Sequence, residues 1–159
     1  MELPHTSTFI SECLELKIEP GSPIFQYLAK QFVITLSSEA EELLKDLYFN
    51  KIVQISKNGD ELTGFCRYCN SLRNPNYKDI RDTFFKTFNF DLNTIDIDDM
   101  DKGRLSSIKA HRDLAAHNVK TSVPLSPLDF ERHKQSYEII LKKLEESLNT
   151  HIKALNSSK

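Results

Sequence analysis

Phe25, Leu28, Phe32, Leu36, Ala40, Leu43 and Leu47 recur at spacings of three and four, and this stripe restricts the fold more than any other feature of the chain. Residues three and four apart share one face of an α-helix. The stripe predicts a core helix running to about Gln54, whose apolar face needs partners along its whole length. Ser22 and Pro23 mark its start: a side chain that caps, then a residue whose missing N–H is not needed in the first turn. Lys57-Asn58-Gly59-Asp60 ends it, with Asn-Gly as the turn signal.

The remaining chain supplies such partners. Ile10, Cys13, Leu14 and Leu16 suit a short helix or a packing arm ahead of the EPGSP turn. A shorter helix is expected from about Glu61 to Asn70, then the Asn74-Pro75-Asn76 turn, then a helix from Tyr77 to Phe88 with Ile80, Phe84, Phe85 and Phe88 on one side. Residues 89–99 read as a loop. Residues 100–117 read as a helix packed through Leu105, Ile108, Ala115 and Ala116, with Asn118 suited to a left-handed cap. TSVPLSP is a loop because two prolines stand within four residues. Ser126 and Pro127 open a last helix with Tyr137, Ile140, Leu141, Leu144, Leu148, Ile152 and Leu155 on its apolar face. Nothing alternates with period two for long enough to need a sheet. The expected fold is all-α, an up-and-down bundle of four to five helices in a single domain over 1–159, with an arm at 1–21 and the bundle at 22–155.

Composition narrows the function classes. A net charge of −2 argues against coating long nucleic acid by bulk charge, while leaving room for a compact site that grips one or two phosphates. The charge is uneven. Residues 91–101 carry five Asp, suited to capping or preceding a helix, and 102–120 carry Lys102, Arg104, Lys109, Arg112, Lys120 and two His. Three cysteines and no signal-like N-terminal run point to reduced thiols and a cytoplasmic setting, and no run of apolar residues is long enough to span a membrane.

The stretch with chemical potential is His111-Arg112-Asp113-Leu114-Ala115-Ala116-His117-Asn118. Arginine offers a permanently charged fork of donors that fits phosphate oxygens. Histidine exchanges protons near neutral pH. Cleavage of RNA uses both: a base activates the 2′-hydroxyl, an acid protonates the departing 5′-oxygen, and a cation stabilises the charge gathering on phosphorus. The RNA carries its own nucleophile, so no metal or cofactor is called for. Five helical steps nevertheless separate Arg112 from His117 by about 140°, so one chain presents them on one face only if the helix loosens. A two-fold pair of chains offers another route, since it juxtaposes the same segment twice and supplies two histidines, one for each proton transfer.

R-D-L-A-A-H-N resembles the R-x4-6-H motif of HEPN domains, and in particular the toxin-like forms ending in R-N-x-x-A-H-G. The setting agrees over roughly 22–155. A helix FVITLSSEAEELLKDL precedes the motif by about seventy residues, and a Pro-containing loop and an amphipathic helix follow it. The resemblance implies a dimeric, metal-independent endoribonuclease, often a toxin or phage-defence effector, with RNA as substrate and an antitoxin or regulatory protein as a further partner. It implies Arg112 and His117 as the catalytic pair. Asp113, at a position where Asn is usual and Asp or His also occurs, would orient them, and Glu41 falls where such domains place an acidic residue near the cleft. Independently of the resemblance, His111 is adjacent to Arg112 and placed to assist with phosphate. Asn118 stands in for the usual Gly, and either tolerates a left-handed turn. Position 119 is Val, so the subgroup with a modifiable Tyr two residues after the His does not apply.

Each residue also has a plainer reading. Taken without their setting, Arg112 and His117 read as a surface Arg and a helix-ending His that meets the helix dipole, and the all-helical setting is what favours the site; His111 reads as an exposed bystander. Cys66-Arg67-Tyr68-Cys69 lacks the second ligand pair of a zinc site and the strand-turn-helix setting of a redox motif, which leaves core thiols. Glu39, Glu41 and Glu42 read as a solvated helix face, and Lys142, Lys143 and Lys153 as solvated charges. The functional rival to the ribonuclease is a non-catalytic HEPN module that dimerises and binds a partner protein or nucleotide. A toxin held silent by a neighbouring antitoxin combines the two.

Overall fold

A computed structural model describes residues 1–57, 59–117 and 123–157. They form six α-helices and two short 3-10 segments, with no strand among the described residues. The helices are α1 (Pro4–Glu15), α2 (Pro23–Ile55), α3 (Gly59–Cys66), α4 (Tyr77–Phe88), α5 (Asp99–His117) and α6 (Pro127–Ser157). The 3-10 segments are Arg67–Leu72 and Leu92–Thr94. The count exceeds the expected four to five because the N-terminal arm is itself a helix. Its Leu3 and Ile10 are buried in the same core as Phe32 and Leu144.

The 33-residue α2 is about 50 Å long at 1.5 Å per residue and is the spine of the bundle, packed on α1, α5 and α6. The Ser22 hydroxyl accepts from the Phe25 N–H at 3.1 Å, so the expected cap is present. Two aromatic clusters cover its two ends. Phe32 stacks on Phe130 of α6 with centroids 4.2 Å apart, and Phe25 lies parallel to Phe130. At the other end Tyr48 meets Phe84 and Phe88 of α4 edge-on. The Tyr48 hydroxyl, buried with them, bonds to Thr87 at 2.6 Å and donates to the Phe65 carbonyl at 3.0 Å. The aromatic residues at helical spacing are thus largely core, although Phe85 is exposed.

Local signals set the other boundaries. Asn76 and Asp79 form a reciprocal capping box at the start of α4, and Asn89 ends that helix in a left-handed conformation with φ 49°. Ser126 and Asp129 exchange the same kind of bonds at α6. The acidic run does precede a helix: the Asp98 carboxylate accepts from the Met100 N–H at 2.7 Å. Lys143, read as solvated, donates instead to the Asp96 carbonyl and ties this loop to α6. Leu105 and Ile108 of α5 are fully buried and Ala115 packs on the core, but Ala116 is exposed. No helix among the described residues is long and apolar enough to cross a membrane.

The glutamate cluster on α2 is not a uniform solvated face. Glu39 is buried and accepts from the His5 and Thr6 N–H groups at 2.8 and 2.9 Å and from the Thr6 hydroxyl at 2.7 Å. It thereby caps α1 from a neighbouring helix and favours the positive end of its dipole. Replacing Glu39 with Ala orphans these donors and is expected to cost about 1.5–3 kcal/mol, read as a lower chemical-denaturation midpoint with faster amide exchange in α1.

His133 of α6 is buried with its Nδ1 unpartnered among the described residues. Burial pushes its pKa down to about 4; the Asp129 carboxylate opposes this, and His111 and Arg104 add to it. The neutral form therefore belongs to the folded state. Stability from this group is complete above the free-imidazole value of 6.5 and is lost as the pH falls toward 4. About 2–3 kcal/mol should disappear across that window, with His111, whose pKa burial also lowers, contributing in the same direction. His133→Leu should flatten most of the slope in denaturation curves taken between those two pH values.

Candidate active site

Midway along α2, between the two aromatic clusters, lies an open cleft of about 360 Å³. Lys45, Arg73 and Arg112 line it together with Glu41, Glu42 and Asp46. Helical spacing puts Glu41 and Lys45 one turn apart, and they pair at 2.5 Å. The second Glu41 oxygen accepts from the Asn74 N–H at 2.8 Å. Burial raises the Glu41 pKa, but the Lys45 and Asn74 hydrogen bonds and the charges of Lys45 and Arg112 outweigh it and hold the carboxyl below its ordinary value. Glu41 is thus an ionised, fully engaged anchor, poorly placed to act as a base.

Asn74 connects three elements. Its N–H reaches Glu41 on α2, and its side-chain amide donates to Asp113 on α5 at 3.1 Å. Its backbone is left-handed, φ 46°, a conformation Asn tolerates better than most residues. Sequence reasoning found a turn at Asn74-Pro75-Asn76 without its tertiary role, because the partners stand 33 and 39 positions away. Lys45, Arg73, Glu42 and Asp46 also line the cleft, and nothing in the local sequence sets them apart from ordinary surface charges.

Glu41, Arg112 and Asp113 therefore come together: Glu41 and Arg112 line the cleft, and Asp113 reaches Glu41 through Asn74. The Arg112 guanidinium is half-buried and donates to no acceptor among the described residues, although its charge acts on Glu41. His117 is the last residue of α5, exposed, and outside the lining of the cleft. The helix stays regular from Arg112 to His117, so the two side chains leave it about 140° apart. His111 is half-buried rather than an exposed bystander. Its Nδ1 is unpartnered among the described residues, and its charge acts on His133 on the α6 side. Asn118 lies outside the described residues.

The cysteines are free and half-buried. Cys66 ends α3 and Cys69 sits in the following 3-10 segment, both packed against the core. Burial raises the Cys13 and Cys69 thiols, which disfavours the thiolate. Among the described residues no group of three or more His, Cys, Asp or Glu is arranged to hold a metal ion. No family model matches the chain, and no curated protein or solved structure matches it either.

Asn74 offers a direct probe of this bridge. Asn74→Ala removes the Asp113 bond and places a less tolerant residue in the left-handed region, at a combined expected cost of about 1–3 kcal/mol. Asn74→Gly also loses the bond but relieves the backbone, so its denaturation midpoint should lie between wild type and Asn74→Ala.

Proposed function

We propose that the chain is a metal-independent endoribonuclease of the HEPN type that works as a homodimer, as a toxin or defence effector in the cytoplasm. The observation that carries this reading is Arg112, the first residue of the R-D-L-A-A-H motif, with its guanidinium uncommitted among the described residues at an open cleft in an all-helical bundle. In this reading Arg112 binds a phosphodiester and stabilises the charge that builds on its oxygens as the 2′-oxygen attacks. His117 moves protons. One imidazole takes the 2′-hydroxyl proton and another delivers a proton to the 5′-oxygen as the P–O bond breaks, leaving a 2′,3′-cyclic phosphate and a free 5′-hydroxyl.

The regular helix between Arg112 and His117 is the reason for the second copy. Arg112 borders α2, whereas His117 lies on the exposed side of α5 with Ala110, Asp113 and Leu114, all within about 60° of it around the helix. Small Ala110 and the 40% exposed Leu114 suit a close two-fold contact along this face, which would bring two His117 side chains near one another. Asp113, held by Asn74, orients the helix end that carries them. The acidic lining supplied by Glu42 and Asp46 favours the second reading, a non-catalytic module that dimerises and binds a partner, here a protein with a basic surface.

Incubating purified protein with total RNA in EDTA separates the two. Wild type should cut and leave cyclic-phosphate ends. Arg112→Ala and His117→Ala should each lose at least about 100-fold in rate, with His117→Ala unchanged in thermal stability because the residue is exposed. Equal cleavage by wild type and both variants would remove these residues from the site. No cleavage by a folded wild-type protein would shift the assignment to the binding module.

A further inference from the structure

We propose that Arg73 is a second phosphate-gripping residue of the Arg112 cleft, held in place by Asn74, so that the cleft takes a nucleotide-length stretch of single strand rather than one phosphate. The inference rests on reading the cleft as an RNA site. Three basic and three acidic side chains line it, and they are not equally available. Lys45 is committed to Glu41. That leaves the Arg73 and Arg112 guanidiniums, which come from different elements, one from the end of the 3-10 segment and one from α5. Neither donates a side-chain hydrogen bond nor forms an ion pair among the described residues. Two uncommitted forks beside one cleft are a ready arrangement for anionic oxygens.

The backbone under Arg73 is fixed on both sides. Its own N–H bonds to the Asn70 carbonyl at 3.2 Å. The next residue, Asn74, is bonded to both α2 and α5, and Pro75 and the Asn76 capping box follow directly. An exposed guanidinium on so constrained a base loses less freedom on binding than one on a loose loop. The cleft, about 360 Å³, is in the range of pockets that hold whole small ligands, roughly 300–1,000 Å³. Glu42 and Asp46 come from α2, whereas the two arginines come from the turn and α5, so repulsion by the carboxylates favours phosphates that lie against the latter elements. This places Arg73 outside the R-x4-H motif but in direct contact with the substrate backbone.

The test measures binding of a fluorescein-labelled 2′-O-methyl RNA oligonucleotide, which lacks the nucleophilic hydroxyl, by anisotropy across a salt series, beside cleavage of the unmodified RNA. Arg73→Ala should weaken binding on the order of tenfold and reduce the slope of log affinity against log salt by roughly 0.7, the value for one lost single-strand phosphate contact. Arg73→Lys should retain the slope, and Glu42→Gln should tighten binding. In cleavage, Arg73→Ala should raise KM more than it lowers kcat. If wild type binds and cleaves while Arg73→Ala keeps both affinity and slope, Arg73 does not touch the strand and the ribonuclease reading survives. Weaker binding with an unchanged slope would assign Arg73 a structural role and overturn the proposal alone. If wild type neither binds nor cleaves, both readings fall.

Discussion

The bundle depends on covering the apolar face of one long helix. An isolated α2 would expose Phe25, Phe32, Leu36, Leu44 and Ile52, all of which are buried in the folded chain, and no single neighbour covers all of them. α6 and α1 close the first half around the Phe25–Phe32–Phe130 stack, and α4 and the first 3-10 segment close the second around Tyr48. The cleft falls between these closures. There α2 turns polar side chains outward, and its neighbours are α5 and the turn at Asn74. A rigid spine clamped at both ends gives side chains between the clamps a fixed frame, the condition for holding charged groups apart without their collapsing onto one another.

Charge within that frame is arranged in two tiers. Glu41 and Lys45 neutralise each other, and Glu41 also fastens the Asn74 turn. Asn74 passes this constraint to Asp113 on α5. These polar contacts tie α2, the turn and α5 together at the cleft, above the buried Leu72, Leu105 and Ile108. Arg112 and Arg73 lie beside the network without donating into it. Arg112 is half-buried with no fixed acceptor among the described residues and so carries a desolvation cost that no hydrogen bond offsets; on the ribonuclease reading, a phosphate would offset it.

What could be read from the sequence divides along the distance between interacting residues. The Ser22-Pro23 and Ser126-Pro127 starts, the span of α4 and the acidic run before α5 rest on contacts within a few positions, and they stand where periodicity and capping chemistry put them. Glu39 was indistinguishable from its solvated neighbour Glu42 because its partners are backbone N–H groups 33 and 34 positions earlier. The same holds for Asn74, whose composition announces a turn and conceals a bridge. Within the candidate site, the motif pointed to Arg112, and the resemblance pointed to Glu41 at the same cleft. Arg73 and Lys45 carry no local signature, since any exposed basic residue has the same pattern.

The separation of Arg112 and His117 bears on how such a site would be controlled. In one chain the cation faces the cleft with α2, and the imidazole faces outward beside Leu114. On the dimeric reading, binding and proton transfer are assembled by different contacts. The cleft is complete in each chain, whereas the imidazole pair exists only where two α5 faces meet. RNA affinity would then be a property of the monomer and cleavage a property of the dimer, whose population follows protein concentration by mass action. A partner that covers the α5 face around Leu114 could silence cleavage without displacing RNA from the cleft.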